Sequence, residues 1–351
     1  MEEKELSDIG EWGIIERIKG DFPHHPSEVL LGIGDDAAAV RVEGKVLLFS
    51  SDLLIEDIHF KTEYTPPFLL GRKAVAVNVS DIAAMGGVPR YLLLSLAAPQ
   101  DLPFSFLTEF SAGLSAEAKE HNISLLGGDT SAGEKITIDI LIIGETEEER
   151  IVKRAGAEPG DLIFVTGSLG DSGMGFTLLK AGFRMDKEGR VSSLGDLSDE
   201  DKRAASTLLS AHLAPKPEFP LGRILAEQGI PKAMLDISDG LAKDLRNLVR
   251  ASKIGARIYE DKIPLSSPLI HFAKKFYQKP LDYALNGGED YRLLFTAHPS
   301  KRKEIDELSA HLGVRITEIG EIMEGTAGII LMGKDGKERD IRGGYDHFEK
   351  R

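Results

Sequence analysis

Apolar residues along the chain fall into two patterns, short continuous runs and positions spaced three or four residues apart. The runs predict β-strands and the wider spacing predicts helices. Strands are predicted at 28–34, 37–42, 45–50, 91–98, 123–126, 136–144, 162–166, 233–235, 291–296, 314–321 and 328–332. Helices are predicted at 9–18, 69–85, 104–118, 203–211, 219–228 and 241–251, with another after residue 173 that ends near residue 180. Because strands are both paired and interleaved with helices, this order predicts an α+β fold rather than a uniform parallel winding.

The helix predicted at 69–85 carries the most informative stretch of the chain. Asn78 and Asp81 are three residues apart and therefore share one face of this helix. Gly86 and Gly87 end the helix, and Pro89 prevents it from resuming. We therefore expect Asp81 to be held on a rigid, well-packed element near its end.

Length and composition set the domain organisation and the cellular setting. A chain of 351 residues exceeds one ordinary core, and the charged stretch 145–150 predicts a junction between domains at 1–148 and 149–351. No apolar run is long enough to span a bilayer, so no membrane partner is expected. The acidic N-terminus without an apolar core, together with the absence of cysteine, indicates a cytoplasmic protein. Residues 183–201 are polar and predict a mobile excursion.

The formal net charge of −14 argues against nucleic acid as a partner, because a phosphate backbone would be repelled. Two explanations of the charge remain, simple solubility or acid concentrated on metal ions. The acidic runs 147–149 and 199–201 have the character of solvated surface. Other acids instead lie at Gly- and Ser-rich points directly after strand-like runs. These are Asp35, Asp36, Asp52, Asp129, Asp236, Asp239, Glu289 and Asp290.

Converging aspartates would oppose folding unless cations lay between them, since two carboxylates about 4 Å apart repel by roughly 4 kcal/mol at an effective dielectric near 20. Oxygen ligands without His or Cys select Mg²⁺, Ca²⁺ or Mn²⁺ over Zn²⁺. Ligands scattered along the sequence suit Mg²⁺ shared with substrate phosphates better than a calcium loop. Any single aspartate has a plainer explanation, because Asp beside Gly is common in turns and helix caps.

Phosphate-binding motifs give weaker signals. The Walker pattern and the protein-kinase set are absent. The glycine-rich segment 167–173 lies between a strand and a helix, so it either cradles a phosphate or forms a tight structural turn. Lys153 and Arg154 are candidate phosphate contacts or a solvated surface pair, and His59 alone fits packing as well as function.

Taken together, these stretches resemble the thiamine-monophosphate kinase family, within the superfamily of aminoimidazole-ribonucleotide synthetase and selenophosphate synthetase. The similar segments run in family order from one end of the chain to the other. They are 32–38, 51–60, 73–86, 127–130, 236–241, 287–291 and 344–348. Gly287-Gly288-Glu289-Asp290-Tyr291 and Tyr345-Asp346-His347-Phe348 are the segments that point to this kinase in particular.

The resemblance implies ATP-dependent phosphorylation of thiamine monophosphate to thiamine diphosphate. It also implies a homodimer formed through the sheet of an N-terminal α/β domain, a C-terminal α/β domain, and an active site in the cleft between the two domains. The residues that it assigns to Mg²⁺ are Asp36, Ser50, Ser51, Asp52, Asp81, Asp129, Asp236 and Asp239. It assigns Gly128, Asp129, Arg154 and Ser238 to ATP, and His59, Glu289 and Tyr345 to thiamine monophosphate. No residue is expected to act as an acid, base or nucleophile.

Two alternatives remain open at this point. One is another ATP-dependent synthetase of the same superfamily, although the reactive Sec or Cys expected of some members is not evident. The other is a non-catalytic metal-binding scaffold, against which the intact set of acids counts.

Overall fold

The computed structural model describes residues 11–16, 19, 26–325, 328–341 and 343–345. Its first half is built on a six-stranded sheet with the strand order β1-β2-β3-β6-β4-β5, in which only β4 and β5 are parallel neighbours. The strands are β1 Val29–Leu31, β2 Ala38–Val42, β3 Lys45–Ile55, β4 Val88–Ala98, β5 Ser124–Ala132 and β6 Thr137–Thr146.

A second, seven-stranded sheet forms the other half, with the order β10-β12-β7-β13-β11-β14-β15. Its strands are β7 Leu162–Thr166, β10 Ala233–Asp236, β11 Gly255–Tyr259, β12 Leu293–Ala297, β13 Ile316–Met323, β14 Ile329–Met332 and β15 Glu338–Asp340. A small hairpin joins β8 Arg184–Met185 to β9 Val191–Ser192. The mixed sheets confirm the predicted α+β class, whereas the domain boundary between residues 148 and 149 stays a prediction.

Helices pack on both sheets. In chain order they are α1 Pro67–Ala84, α2 Phe104–Glu120, α3 Asp171–Lys180, α4 Asp199–Leu213, α5 Phe219–Glu227, α6 Leu241–Ser252, α7 Ser267–Lys275, α8 Pro280–Asn286 and α9 Arg302–Leu312. Residues 11–16 are also helical, which agrees with the predicted first helix, while Ile9, Ile18 and Gly20 lie outside the described residues.

Helix α1 is buried on nearly all sides because apolar residues surround it rather than forming one stripe. Its Val75, Val79 and Ile82 join the core of the first sheet, and Ala84 joins a core cluster of the second half. Pro67 begins the helix, and Gly86 adopts the left-handed conformation (φ 71°) just beyond its end, as predicted. The helix therefore lies between the two halves of the molecule.

At two places the structure departs from what local composition indicates. The polar segment 183–201 is packed against α4 at its start, where Phe183 and Met185 are buried in a core cluster, and its mobility stays a prediction. Strands β3 and β5 also extend past the acids that were expected to follow them, so Asp52 and Asp129 lie within strands. In both cases hydrogen bonding and packing between distant segments override local composition.

Candidate active site

Helix α1 presents Asn78 and Asp81 to strand β3. The Asp81 carboxylate accepts a hydrogen bond from the Ser50 hydroxyl at 2.5 Å. The Asn78 side-chain oxygen accepts one from the Asp52 backbone N–H at 3.2 Å. The face shared by Asn78 and Asp81 is thus directed at two of the other predicted ligands, Ser50 and Asp52.

The second half of the chain contributes Asp236, at the end of β10. Its carboxylate accepts a hydrogen bond of 2.6 Å from the hydroxyl of Ser80, which lies next to Asp81 on α1. Asp236 is 4% exposed. This buried hydrogen bond joins residues 156 positions apart and connects the end of β10 to α1.

Arg154 links the two halves at the same place. Its guanidinium forms an ion pair with Asp36 at 2.5 Å, and its backbone N–H donates to both carboxylate oxygens of Asp35 at 3.1 Å. One carboxylate oxygen of Asp36, Oδ2, and the Nε–H of Arg154 are buried without a hydrogen-bond partner among the described residues. Such orphaned polar atoms are costly in a folded protein and mark a place where a polar ligand fits.

Four buried carboxylates lie close enough here to interact electrostatically, and we call them the acidic group: Asp36, Asp52, Asp81 and Asp236. Burial raises the pKa of Asp52 to about 6 and that of Asp236 to about 8, and neighbouring carboxylates, Asp36 among them, add to both shifts. Burial, with the charges of the other three, also raises the pKa of Asp81 well above its ordinary value. Burial raises the pKa of Asp36, although Arg154 opposes the shift. Accumulated negative charge in a buried place is typical of a cation site.

The donor set suits a hard cation, since it consists of carboxylate and hydroxyl oxygens. Across the described residues, however, no three acidic or histidine side chains are already arranged around one point that could hold a metal. Asp81, Asp236 and Asp36 instead bind Ser50, Ser80 and Arg154. A Mg²⁺ ion can be held by one or two carboxylates when substrate phosphates and water complete its shell.

A cavity of about 390 Å³ opens beside the acidic group and is lined from both halves of the chain. Ser238 and Asp239, which follow β10, form part of its wall. The charge of Asp239 also raises the pKa of Asp52. Tyr345 lies next to this wall, because its backbone N–H donates to the Asp239 carbonyl at 3.1 Å and its carbonyl accepts from Lys243 at 2.6 Å. Ser238, Asp239 and Tyr345, which were predicted to contact ATP, metal and acceptor, thus adjoin one another.

Two further predicted substrate contacts occupy defined places. The Nδ1 atom of His59 accepts a hydrogen bond from the Ile55 backbone at 2.9 Å, which closes the turn after β3. The Glu289 carboxylate lies 2.8 Å from the Lys73 ammonium, and its other oxygen lies 3.1 Å from His212 Nδ1. Glu289 is therefore attached to α1 as well as to the second half.

The structure separates three predicted residues from the acidic group. The Ser51 hydroxyl donates to Asp139 at 2.6 Å, on the sheet face opposite α1, although Ser51 also lines the cavity. In the sheet, Ser95 of β4 is paired with Asp139 on one side and with Asp129 on the other. Paired residues point to the same face, so Asp129 lies on the same face as Asp139, which we call the outer face. Gly128 and Asp129 are exposed on the edge strand β5.

The glycine-rich segment 167–173 is explained as a tight turn. Asp290 accepts hydrogen bonds from the backbone N–H groups of Gly170 at 2.6 Å and Ser172 at 3.3 Å. Its carboxylate thereby caps the N-terminus of α3, so these N–H groups are satisfied by the protein itself.

Sequence reasoning missed several residues that contact the predicted ones. Ser80 was overlooked although it adjoins Asp81, and Asp139 was overlooked although an acid in the apolar strand 136–144 is unusual. Lys73 and Lys243 gave no signal, because a lysine in a helix is ordinarily solvated. In the structure Lys243 forms ion pairs with Asp239 at 2.8 Å and Glu11 at 2.6 Å.

Comparison with known proteins gives a consistent relationship. Family models match in both halves, "AIR synthase related protein, N-terminal domain" over residues 34–146 and "AIR synthase related protein, C-terminal domain" over residues 158–332. A thiamine-monophosphate kinase of Aquifex aeolicus is 38% identical, over 98% of this chain and 99% of its own length. That of Bacillus subtilis is 34% identical, over 97% of this chain and 100% of its own length.

Solved structures agree with the sequence relatives. The one described as "AaThiL complexed with AMPPCP and TMP" matches with a TM-score of 0.83 at 34% identity, covering 99% of this chain and 100% of that chain. The thiamine-monophosphate kinase of Stenotrophomonas maltophilia matches with a TM-score of 0.74 at 32% identity, over 94% of this chain and 98% of that chain. The predicted resemblance is confirmed, and the chain belongs to the thiamine-monophosphate kinase family.

Proposed function

We propose that this protein transfers the γ-phosphoryl group of ATP to the phosphate of thiamine monophosphate, giving thiamine diphosphate and ADP. The observation that carries the proposal is the convergence of acids from both halves on α1, in a chain whose relatives include a structure bound to AMPPCP and TMP. The phosphate groups of the two substrates repel each other and can approach only where their charge is neutralised. The acidic group is the place in the molecule suited to collecting the cations for this task.

The proposed metal ligands are the acidic group together with Ser50, Ser51, Asp129 and Asp239. Bound Mg²⁺ would supply positive charge that offsets both the carboxylates and the substrate phosphates. We assign ATP contacts to Gly128, Asp129, Arg154 and Ser238. The guanidinium of Arg154 is well suited to a phosphate oxygen, because its Nε–H is buried without a partner among the described residues.

We propose direct in-line transfer without a phosphoenzyme. The attacking atom is a phosphate oxygen of thiamine monophosphate, which is largely ionised near neutral pH because the second pKa of such a group is about 6. No side chain has to remove a proton from it, so positioning and charge neutralisation suffice. His59, Glu289 and Tyr345 are the proposed contacts to the acceptor.

We also propose a homodimer formed through the first sheet. Its outer face exposes Leu53, Tyr91 and Leu93, with 47%, 44% and 37% of each residue accessible, while α1 and α2 cover the inner face. Contiguous apolar surface of this kind marks an interface. A second copy of the chain would cover it, and would also approach Asp129 on the edge strand. Sedimentation at micromolar concentration should show a dimer, and Leu93→Glu should yield monomers, whereas a monomeric wild-type protein would contradict this arrangement.

No helix in the described part of the chain is long and apolar enough to cross a membrane. We propose that this enzyme is cytoplasmic, because ATP is available there.

The activity is tested by incubating the protein with ATP and Mg²⁺ and either thiamine monophosphate or thiamine. Thiamine diphosphate should form from the monophosphate alone, with one ADP for each product molecule. Formation from unphosphorylated thiamine, or turnover stimulated by neither compound, would contradict the proposal.

A further inference from the structure

A lysine of α1 is enclosed at the contact between the two halves of the molecule. Lys73 is 2% exposed, and its ammonium lies 2.8 Å from Oε1 of Glu289. A lysine is almost never fully buried unless its charge is paired, and a buried pair is weak evidence for stability. Since apolar side chains of similar volume would serve packing equally well, the pair calls for a reason other than packing.

The second oxygen of the same carboxylate is held from another element. His212 of α4 is 5% exposed, and its Nδ1 lies 3.1 Å from Oε2 of Glu289 and 3.1 Å from the Ser172 hydroxyl. Burial, followed by the charge of Lys73, lowers the pKa of His212, although Glu289 opposes the shift; this favours the neutral ring, which has one N–H. An ionised carboxylate only accepts hydrogen bonds, which places this proton on Nδ1.

The backbone of Glu289 is fixed as well. Its N–H donates to the Ser238 carbonyl at 2.7 Å, beside the acidic group, and its φ of 55° lies in the left-handed region, which is strained for a non-glycine residue. The neighbouring position 288 requires glycine, since a Cβ there would lie 2.8 Å from the same Ser238 carbonyl. Backbone and side chain are therefore both determined, yet 26% of the side chain remains exposed.

We propose that Lys73 and His212 are positioning residues, which hold the Glu289 carboxylate in a single orientation towards the acceptor substrate. This inference rests on the proposed function, in which Glu289 contacts thiamine monophosphate. Each carboxylate oxygen retains a lone pair for a further donor. Because the carboxylate is anionic and only accepts, it faces the amino group or the cationic ring of the thiamine moiety rather than the phosphate.

The consequence for kinetics is specific. Lys73 and His212 act on the acceptor through Glu289, and Arg154 at the ATP position does not depend on them. Loss of Lys73 should therefore raise KM for thiamine monophosphate by about tenfold or more while KM for ATP changes by less than about threefold. If Lys73 acts only through Glu289, its effect should largely disappear when Glu289 is already replaced.

The experiment is a double-mutant cycle of Lys73→Met and Glu289→Gln in the full-length protein, with KM measured for each substrate. The double variant should resemble Glu289→Gln alone. Arg72→Met is the matched control, because this neighbour on α1 forms its ion pairs with Glu117 and Glu120 instead. It should leave the ratio of the two KM values unchanged.

A second pair of variants keeps the test valid if Lys73→Met does not fold. His212→Asn preserves an N–H donor near the position of Nδ1 and should retain more acceptor affinity than His212→Leu. Additive effects in the cycle, an equal rise of both KM values, or identical behaviour of the two His212 variants would overturn the inference. If the wild-type protein is active and Lys73→Met has the same KM values as the wild type, this inference alone is overturned. If the wild-type protein is inactive on thiamine monophosphate, the proposed function is overturned as well.

Discussion

Replacement of Asp81 by Asn should separate stability from activity. The substitution conserves the volume of the side chain, and the amide oxygen can still accept the hydrogen bond from Ser50. It removes one negative charge from a place where burial and three other carboxylates raise the pKa of Asp81. In the absence of metal, we therefore expect the variant to be more stable than the wild-type protein, although it loses a proposed ligand.

The magnitude follows from the charges. At an effective dielectric near 20, two carboxylates about 7 Å apart repel by roughly 2 kcal/mol. Because the acidic group is partly protonated at neutral pH, its members carry less than a full charge each. Removal of the Asp81 charge therefore lowers the repulsion with each neighbour by less than this value. The hydrogen bond from Ser50 becomes weaker by about 1 kcal/mol, because its acceptor changes from a charged carboxylate to a neutral amide. We therefore expect a net gain of about 1–3 kcal/mol at pH 8, or a rise in Tm of a few degrees.

The assay compares thermal unfolding in EDTA with kcat in saturating Mg²⁺ and ATP. Asp81→Asn should raise Tm in EDTA and lower kcat by at least about a hundredfold, because a proposed ligand of the cations that align the two phosphate groups is lost. Asp306→Asn, an exposed position on α9, is the control and should change neither quantity. A variant with near-normal kcat would refute Asp81 as a metal ligand, and a lower Tm in EDTA would refute the repulsion within the acidic group.

Three further predictions follow from the same contacts. The folded-state pKa values of Asp52 and Asp236 are about 6 and about 8, above the ordinary 3.8. Between about pH 4 and pH 8 the metal-free folded state therefore binds more protons than the unfolded chain. The stability of the metal-free protein should consequently fall as pH rises through this window. Mg²⁺ should accordingly raise Tm more at pH 8 than at pH 5.5 in a melting experiment, and a pH-independent effect would count against metal binding here. Arg154→Gln should raise KM for ATP by about tenfold in steady-state assays, and an effect confined to thiamine monophosphate would reassign Arg154. Gly222→Ala should lower Tm by several degrees, because its Cβ would lie 2.2 Å from the Ala83 carbonyl of α1; an unchanged Tm would show that α1 and α5 separate easily.

Local signals in the sequence were sufficient to predict α1 and the direction of its functional face. The spacing of Asn78 and Asp81 and the Gly86-Gly87 stop are properties of a single helix, so no distant contact is needed to interpret them. Turn-like composition around Asp52 and Asp129 was misleading, because neighbouring strands continue the hydrogen-bonded ladder through both positions.

Contacts between the two halves could not be predicted from the sequence. The ion pair of Lys73 and Glu289 joins residues more than two hundred positions apart, and nothing in the sequence marks Glu289 as the partner of Lys73. The hydrogen bond from Ser80 to Asp236 has the same character. Such pairs depend on how the second sheet packs against α1, which a local pattern does not encode. The location of Asp129 on the outer face likewise depends on the register of β5 against β4.

The central claim is direct phosphoryl transfer to thiamine monophosphate at the acidic group. A single-turnover experiment with γ-labelled ATP, excess enzyme, Mg²⁺ and thiamine monophosphate tests it most directly. The account predicts that the label passes from ATP to thiamine diphosphate, with none bound covalently to the protein at any time point and with no transfer in EDTA. Label retained on the protein through a covalent bond, or transfer that persists in EDTA, would contradict it.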